Sequence, residues 1–367
     1  MKEVFKYFFK LGIIAFGGPA AHIAMMEEDL VKRKKWMGTQ EFLDYMGATN
    51  LIPGPNSTEM TMHCGYHRAG VKGLFTAGLS FIFPAVTLTL IIAIFFEKFS
   101  QVSWIVPIIA GIKAAVISFI VAAILKLGKK AVKSYYLGII GVLVICVSFF
   151  GGVNEILCIL GAGIVSVIVK SITEKRTLNS IAIIPLFALL KIPYTHFKLF
   201  IIFLKIGAVL FGSGYVLFAY LDGELIDNAQ WLTHPDLVEA IAIGQITPGP
   251  VLSTATFIGY KVGGITGALL ATAGIFLPSF FYVFILNKAV KRMQQSIVLR
   301  YFLDAVNVAA VAVMLVVTYK MTESILIDWK TSVICILSFV VYFSVKKINP
   351  FWIIIGGGVL GCLLNFV

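Results

Sequence analysis

Residues 50–56 read Asn50-Leu51-Ile52-Pro53-Gly54-Pro55-Asn56, and 195 residues later the chain reads Gln245-Ile246-Thr247-Pro248-Gly249-Pro250-Val251. A Pro-Gly-Pro triplet cannot lie inside a continuous helix. Two backbone donors are missing, each ring clashes with the preceding turn, and glycine adds freedom between them. Both copies nevertheless sit in apolar surroundings. Broken backbone at membrane depth is tolerated only where protein buries it or where it lines a cavity. The two breaks are therefore read as the centre of the molecule.

The chain has 367 residues, 59% hydrophobic and 13% charged, against about 25% charged in soluble domains. It reads as an integral membrane protein. Residues 74–96 run 23 positions without a charge, against the ~20 needed to cross a bilayer. Such continuous runs indicate helices, since a barrel would show alternating segments. No cleavable leader is read, because the apolar stretch 4–16 ends in Gly-Gly-Pro with charges soon after. The net charge of +12 is clustered in short loops, the positive-inside pattern of a membrane protein and not the mark of a nucleic-acid partner. Cys64, Cys146, Cys158, Cys335 and Cys362 fall singly and read as small buried hydrophobes.

The chain repeats itself. At an offset of 195, Lys10-Leu11-Gly12 meets Lys205-Ile206-Gly207, Phe16-Gly17 meets Phe211-Gly212, and Trp36 meets Trp231. One deletion then shifts the offset to 194, so that Gly65-Tyr66 meets Gly259-Tyr260 and Pro84 meets Pro278. Two ladders of small residues fall in this register, Gly65, Ala69, Gly73, Ala77 and Gly259, Gly263, Gly267, Ala271. Four-residue spacing of that kind lets helix backbones approach closely in lipid. The expected organisation is a first membrane repeat at 1–172, a linker at 173–197 that is either a surface segment or a short span, and a second repeat at 198–367.

Loop charges orient the copies. The loops at 32–35, 126–133 and 170–176 are basic, while their second-copy equivalents are acidic, mixed or uncharged. The reverse holds at 97–101 and 151–155 against 288–292 and 346–347. Basic loops stay in the cytoplasm, so the halves should be inserted upside-down relative to each other, as in secondary transporters. The fold class expected is an all-α polytopic membrane protein, two inverted-topology repeats with broken or re-entrant helices, about ten membrane segments plus short half-helices.

Each triplet should form the tip of a re-entrant or unwound hairpin near the midplane. The half-helix after it would offer unpaired N-terminal amides, which favour anions. Candidate substrate contacts are Pro53, Gly54, Pro55, Pro248, Gly249 and Pro250, with Asn50, Asn56, Ser57, Gln245, Thr247 and Ser253 as a polar cage or as half-helix caps. The breaks at Gly17-Gly18 and Gly212-Ser213-Gly214 offer further bare backbone, and His22 could contact an oxyanion or carry a proton. Lys113 is the lone cation of its span, a source of positive potential or the partner of an acid such as Asp304 or Glu59. Arg68, Lys205 and Lys261 read as interfacial, explained by snorkelling. Glu27, Glu59 and Asp222 are candidates for ion coupling, or else boundary acids. His63 and His67 share a helix face, but no further ligands are spaced to close a metal site.

On the motifs Phe16-Gly17-Gly18-Pro19-Ala20-Ala21-His22, Pro53-Gly54-Pro55, Phe211-Gly212-Ser213-Gly214 and Gln245-Ile246-Thr247-Pro248-Gly249-Pro250, the chain resembles the chromate ion transporter family in its long-chain, two-domain form. The resemblance implies a prokaryotic plasma-membrane protein that exports chromate, a tetrahedral dianion shaped like sulfate. Pro19 is replaced by Gly214 in the second copy, so the two breaks differ in stiffness. The function expected is secondary active chromate export by alternating access. The alternatives are a transporter of sulfate or another oxyanion, and an anion channel on the same scaffold. An intramembrane enzyme using Ser213 as nucleophile is disfavoured, since the other half lacks that serine. No Gly-x-x-x-x-Gly-Lys loop is present, so a gradient or a separate subunit must drive flux. Expected partners are the oxyanion and the lipid bilayer, with a homodimer admitted and no cofactor, metal or nucleic acid.

Overall fold

The computed structural model describes residues 1–16, 18–173, 195–212, 214–286, 296–345 and 348–365. Gly17, Ser213, most of the expected linker and the basic loops at 288–292 and 346–347 lie outside the described residues. Among those described, every regular element is a helix.

Helix α1 (Lys2–Ile14) and helix α2 (Pro19–Met26) are separated by the first glycine break. Gly18 there has φ +78° and Pro19 opens α2, at a position where a missing N–H is harmless. A π-helical turn, Glu27–Arg33, continues α2. The two helices do not make one broken span. Glu3, at the start of α1, lies 3.3 Å from Lys34 and 3.2 Å from Arg68, so α2 returns to the face that α1 left. Helix α3 (Thr39–Thr49) and the first arm of α4 (Asn56–Phe99) form a second hairpin with Pro53-Gly54-Pro55 at its tip. His67 and Glu41 tie its open end at 2.9 Å.

Helix α4 then reverses at Ala69-Gly70, where Gly70 has φ +61°, a conformation that costs glycine little. The reversal corrects the reading of the small-residue ladder as one helix face. Gly65 lies on the inbound arm and packs against Gly73 and Ala77 of the outbound arm, where any Cβ would strike the Gly73 carbonyl. The outbound arm crosses, followed by α5 (Val106–Ala131), α6 (Tyr135–Gly151) and α7 (Glu155–Thr173).

The second half follows the same plan. Helices α8 (His196–Val209) and α9 (Leu217–Leu221), with a π-helical turn at Asp222–Asn228, form one hairpin. Helix α10 (His234–Ile246) and the first arm of α11 (Thr254–Leu286) form the other, and α11 reverses at Gly263-Gly264 with φ +62° at Gly264. Helices α12 (Ile297–Ile325), α13 (Trp329–Ser344) and α14 (Pro350–Leu364) complete it.

Contacts at the helix ends show which way each half opens. Phe96, at the far end of the α4 crossing, stacks edge-on against Phe257 of the first arm of α11 at 5.4 Å. Lys113 near the start of α5 reaches Glu239 of α10, and Lys133 beyond the end of α5 reaches Asp304 of α12 at 2.6 Å. The second pair of hairpins therefore opens at the face where the α4 crossing ends, and the first pair at the face where it begins. The latter carries the basic residues at 32–35 and 126–133, which marks it as cytoplasmic.

The halves also interlock. Helices α6 and α7 pack on α12 of the other half, and α13 and α14 pack on α5. At Gly111 the α5 backbone approaches so closely that a Cβ would strike the Gly357 carbonyl and come within 2.9 Å of the Gly361 Cα. Such small-residue seams are how helices associate where lipid supplies no hydrophobic drive. Among the described residues five helices (α4, α5, α7, α11 and α12) are long and apolar enough to cross a membrane, and α6, α13 and α14 are apolar but shorter. Their outward faces expose large apolar side chains such as Leu79, Phe83, Ile139 and Phe281, the surface a bilayer covers.

Candidate functional site: the crossed tips

Every half-helix that ends inside a membrane leaves carbonyls without intrahelical donors, and those groups must find partners within the protein. The structure satisfies them across the two halves. The Gly54 N–H donates to the Leu210 carbonyl at 2.8 Å, and the Gly249 N–H donates to the Ala15 carbonyl at 3.0 Å. The donors are equivalent in the repeat, and so are the acceptors. Each Pro-Gly-Pro tip is thus tied to the glycine break of the opposite half. The Ala15 carbonyl also lies 3.1 Å from His22 Nε2, and the last turn of α8 receives Tyr220 Oη on Val209 and Tyr282 Oη on Ala208, both at 2.9 Å.

This geometry sharpens what the tips can offer an anion. Proline has no N–H, so the glycine amide is the only donor in each triplet, and it is committed to protein. Thr58 and Glu59 donate to the Pro55 carbonyl, and Ser253 to that of Pro250. The amides that geometry leaves at the helix starts are those of Asn56, Ser57, Val251 and Leu252. A polar pair bridges each triplet: Asn56 Nδ2 donates to Asn50 Oδ1 at 2.7 Å, and Thr247 Oγ1 lies 3.5 Å from Ser253 Oγ. The Gln245 Nε2 and His22 Nδ1 atoms are buried without a hydrogen-bond partner.

The glycine φ values show why these positions are glycine. Gly54 has φ +139° and Gly249 +87°. A Cβ on Gly54 would meet the Glu59 carboxyl and the Ser279 hydroxyl, and one on Gly249 would sit 2.9 Å from Ala85 Cβ. Gly18 faces Tyr215, and Gly212 faces Asn307. Asn307 is the repeat equivalent of Lys113, so a neutral amide and not an ammonium approaches that break.

Lys113 pairs with Glu239 at 2.6 Å. Neither acid considered from sequence is its partner, because Asp304 holds Lys133 and Glu59 pairs with no cation among the described residues. Glu239 also holds Lys261 at 2.7 Å, and both lysines line a cavity of about 390 Å³ at the external face. Snorkelling does not account for Lys205, which is buried on Glu224 at 2.8 Å. Asp222 is fully buried, 3.0 Å from His234 Nε2 and 3.4 Å from Lys320, with Glu155 and Asp227 beside it. Glu27 is half-buried at the equivalent place in the first half. The acids Glu155, Glu224 and Glu239 escaped the sequence reading; the repeat register, which aligns Asp29 with Glu224 and Asp44 with Glu239, was the signal that could have found part of this set.

The chain matches a family model described as "Chromate transporter" twice, over residues 2–167 and 197–362. It is 27% identical to a chromate transport protein of Cupriavidus metallidurans, over 98% of this chain and 92% of that protein. It is 28% identical to a probable chromate transport protein of Synechococcus elongatus, over 95% and 92% of the two chains. An uncharacterized transporter of Methanocaldococcus jannaschii is 27% identical over 99% and 94%. No solved structure matches the chain. Matched in both halves and built from apolar crossing helices, the chain belongs to the chromate transporter family and is a multi-pass protein of the plasma membrane.

Proposed function

We infer that the protein moves chromate out of the cell by alternating access, driven by an ion gradient, and that it is not an enzyme. The observation that carries this reading is the pair of cross-ties, Gly54 to Leu210 and Gly249 to Ala15. They join four broken half-helices from two oppositely opening halves, the arrangement by which secondary transporters expose one site to either face in turn. The relatives' names supply chromate as the substrate, and family membership supplies oxyanion transport as the class.

Within this frame the second tip is the better oxyanion cradle. It offers the Val251 and Leu252 amides, the Ser253 hydroxyl and the unpartnered Gln245 amide as neutral donors, while the Thr247 hydroxyl donates to the Ile243 carbonyl and lies against Ser253. The first tip adds Asn50, Asn56 and Ser57 but also an acid, Glu59. Gly18, Gly212 and Gly214 line the breaks and act as shape, and Gly17 and Ser213 complete those motifs. Lys113 serves the external vestibule and not the tip. The test is a substitution pair, Gln245→Leu and Ser253→Ala, in purified protein reconstituted in vesicles. Loss of one donor from a charged acceptor should raise the half-saturating chromate concentration by roughly tenfold, about 1.5 kcal/mol or more, with the melting temperature little changed. An unaltered half-saturation in both variants would remove the second tip from the binding site.

A further inference from the structure

The two tips are equivalent in the repeat and unlike in charge. In the first turn of α4, Glu59 is 0% exposed, and its carboxyl converges with the Ser279 hydroxyl of α11 on the same face of Gly54. No close hydrogen bond satisfies either carboxyl oxygen, and the Ser279 hydroxyl is the polar group beside them. Among the described residues no lysine, arginine or histidine lies within ion-pair distance of Glu59. The groups around it are few. From α11 the facing titratable group is Tyr282, one turn beyond Ser279, and its hydroxyl is committed to the Ala208 carbonyl at 2.9 Å. On α4 itself the next turn carries His63, stacked on Tyr45 with centroids 5.0 Å apart. The end of α8 presents only Ala208, Val209 and Leu210. Around the second tip the same places hold Ser253 or Thr254 from its own half and Ala85 from the other, none of them ionisable.

A carboxylate accepts hydrogen bonds and cannot donate them, whereas the neutral acid can do both. An ionised carboxylate with no cation beside it would be an uncompensated buried charge, so the closed pocket fits the neutral form of the acid. Ionisation calls for water at the carboxyl, and lifting the tip from α11 would expose Glu59, which is 0% exposed with the tip seated. The same tip is tied through Gly54 to Leu210, so whatever moves it also moves the joint between the halves. An unpaired ionisable group inside a membrane protein is by default a candidate for its transport path.

We propose that Glu59 is the proton-carrying group of the transport cycle, the first tip seating against α11 with the proton bound and releasing it when the tip opens. This inference rests on the reading of the protein as a gradient-driven oxyanion transporter and names its coupling ion. The test uses full-length protein in vesicles, wild type beside Glu59→Gln, with chromate as probe. Two fluxes are read: accumulation driven by an imposed pH gradient, and chromate–chromate exchange at equal pH. Glu59→Gln should keep exchange within about threefold of wild type and lose gradient-driven accumulation by at least about tenfold, since a permanently neutral side chain cannot bias the two states. Wild-type exchange should depend on pH, and that dependence should be lost in Glu59→Gln.

Gradient-driven accumulation that survives in Glu59→Gln overturns the assignment and leaves the transport reading intact. Wild-type vesicles that carry no chromate in either assay overturn both. If Glu59→Gln does not fold, Glu59→Asp takes its place with an infrared readout. The band of a buried protonated carboxyl should be present in wild type and displaced in the aspartate variant, and a wild type without that band refutes the proposal.

Discussion

Gly249→Ala probes the cross-tie between the halves with a single methyl group. At φ +87° an L-residue costs roughly 1–2 kcal/mol relative to glycine. The new Cβ would lie 2.9 Å from Ala85 Cβ and 3.3 Å from the Gly12 carbonyl, an overpacking that costs about 1–3 kcal/mol. A gain of about 0.4–1 kcal/mol from the stiffer unfolded chain offsets part of this. The net expectation is a loss of about 2–4 kcal/mol, read as a lower unfolding midpoint in detergent and as reduced chromate flux in vesicles. Ala85→Gly in the same background should relieve the methyl contact and leave the φ strain. Although a helix-interior glycine itself costs about 1 kcal/mol, the double-mutant cycle should show a coupling of about 1 kcal/mol or more. A Gly249→Ala protein with wild-type melting and flux, or a cycle with no coupling, would refute the packing on which the tie depends.

Other substitutions follow from the same geometry. Lys205→Met strands the buried Glu224 and should destabilise by about 3–5 kcal/mol, while Lys205→Met with Glu224→Gln should recover most of it; chemical denaturation reads both. Gly111→Val drives a branched side chain into the Gly357 carbonyl and should loosen α14 from α5, measured as faster proteolysis and a loss of at least about 1–3 kcal/mol. Asp328 caps α13, accepting from the Thr331 hydroxyl at 2.6 Å and the Thr331 N–H at 2.7 Å, which holds its carboxyl below the ordinary range. Because the folded value is depressed, the stabilisation is present above the unfolded value near ~4 and disappears as pH falls through the folded one. Asp328→Ala should therefore melt lower at neutral pH, by about 1 kcal/mol, and the gap to wild type should close in acid.

Much of the architecture was legible because duplication prints structure twice. Proline and glycine act on the backbone locally, so Pro53-Gly54-Pro55 and Pro248-Gly249-Pro250 announced two hairpin tips. The hairpin formed by α1 and α2 was harder to read. A break between two apolar runs is compatible with a kinked span or with a return, and only the contacts of Glu3 with Lys34 and Arg68 decide between them. The small-residue ladder misled for a related reason. Spacing by four describes one face only while the helix continues, and Gly70 and Gly264 reverse it.

The site was legible as a place and not as a set of contacts. Which carbonyl the Gly54 amide meets depends on α8, more than 150 residues away, and no local pattern encodes that. Ion pairing was equally hidden: Lys113 with Glu239 and Lys205 with Glu224 join separate elements, and sequence offered only nearby or merely plausible acids. Glu59 was visible as an intramembrane acid, but its isolation follows from the packing of Ser279 and Tyr282, which the sequence reading did not single out.

The most direct measurement is chromate accumulation in vesicles holding the purified protein in inside-out orientation, with and without an imposed pH gradient. Saturable accumulation that the gradient drives, that empty vesicles lack, and that falls in Gly54→Ala and Gly249→Ala together is the predicted result. Absence of chromate flux under every gradient, from protein that is folded and correctly inserted, would contradict the account.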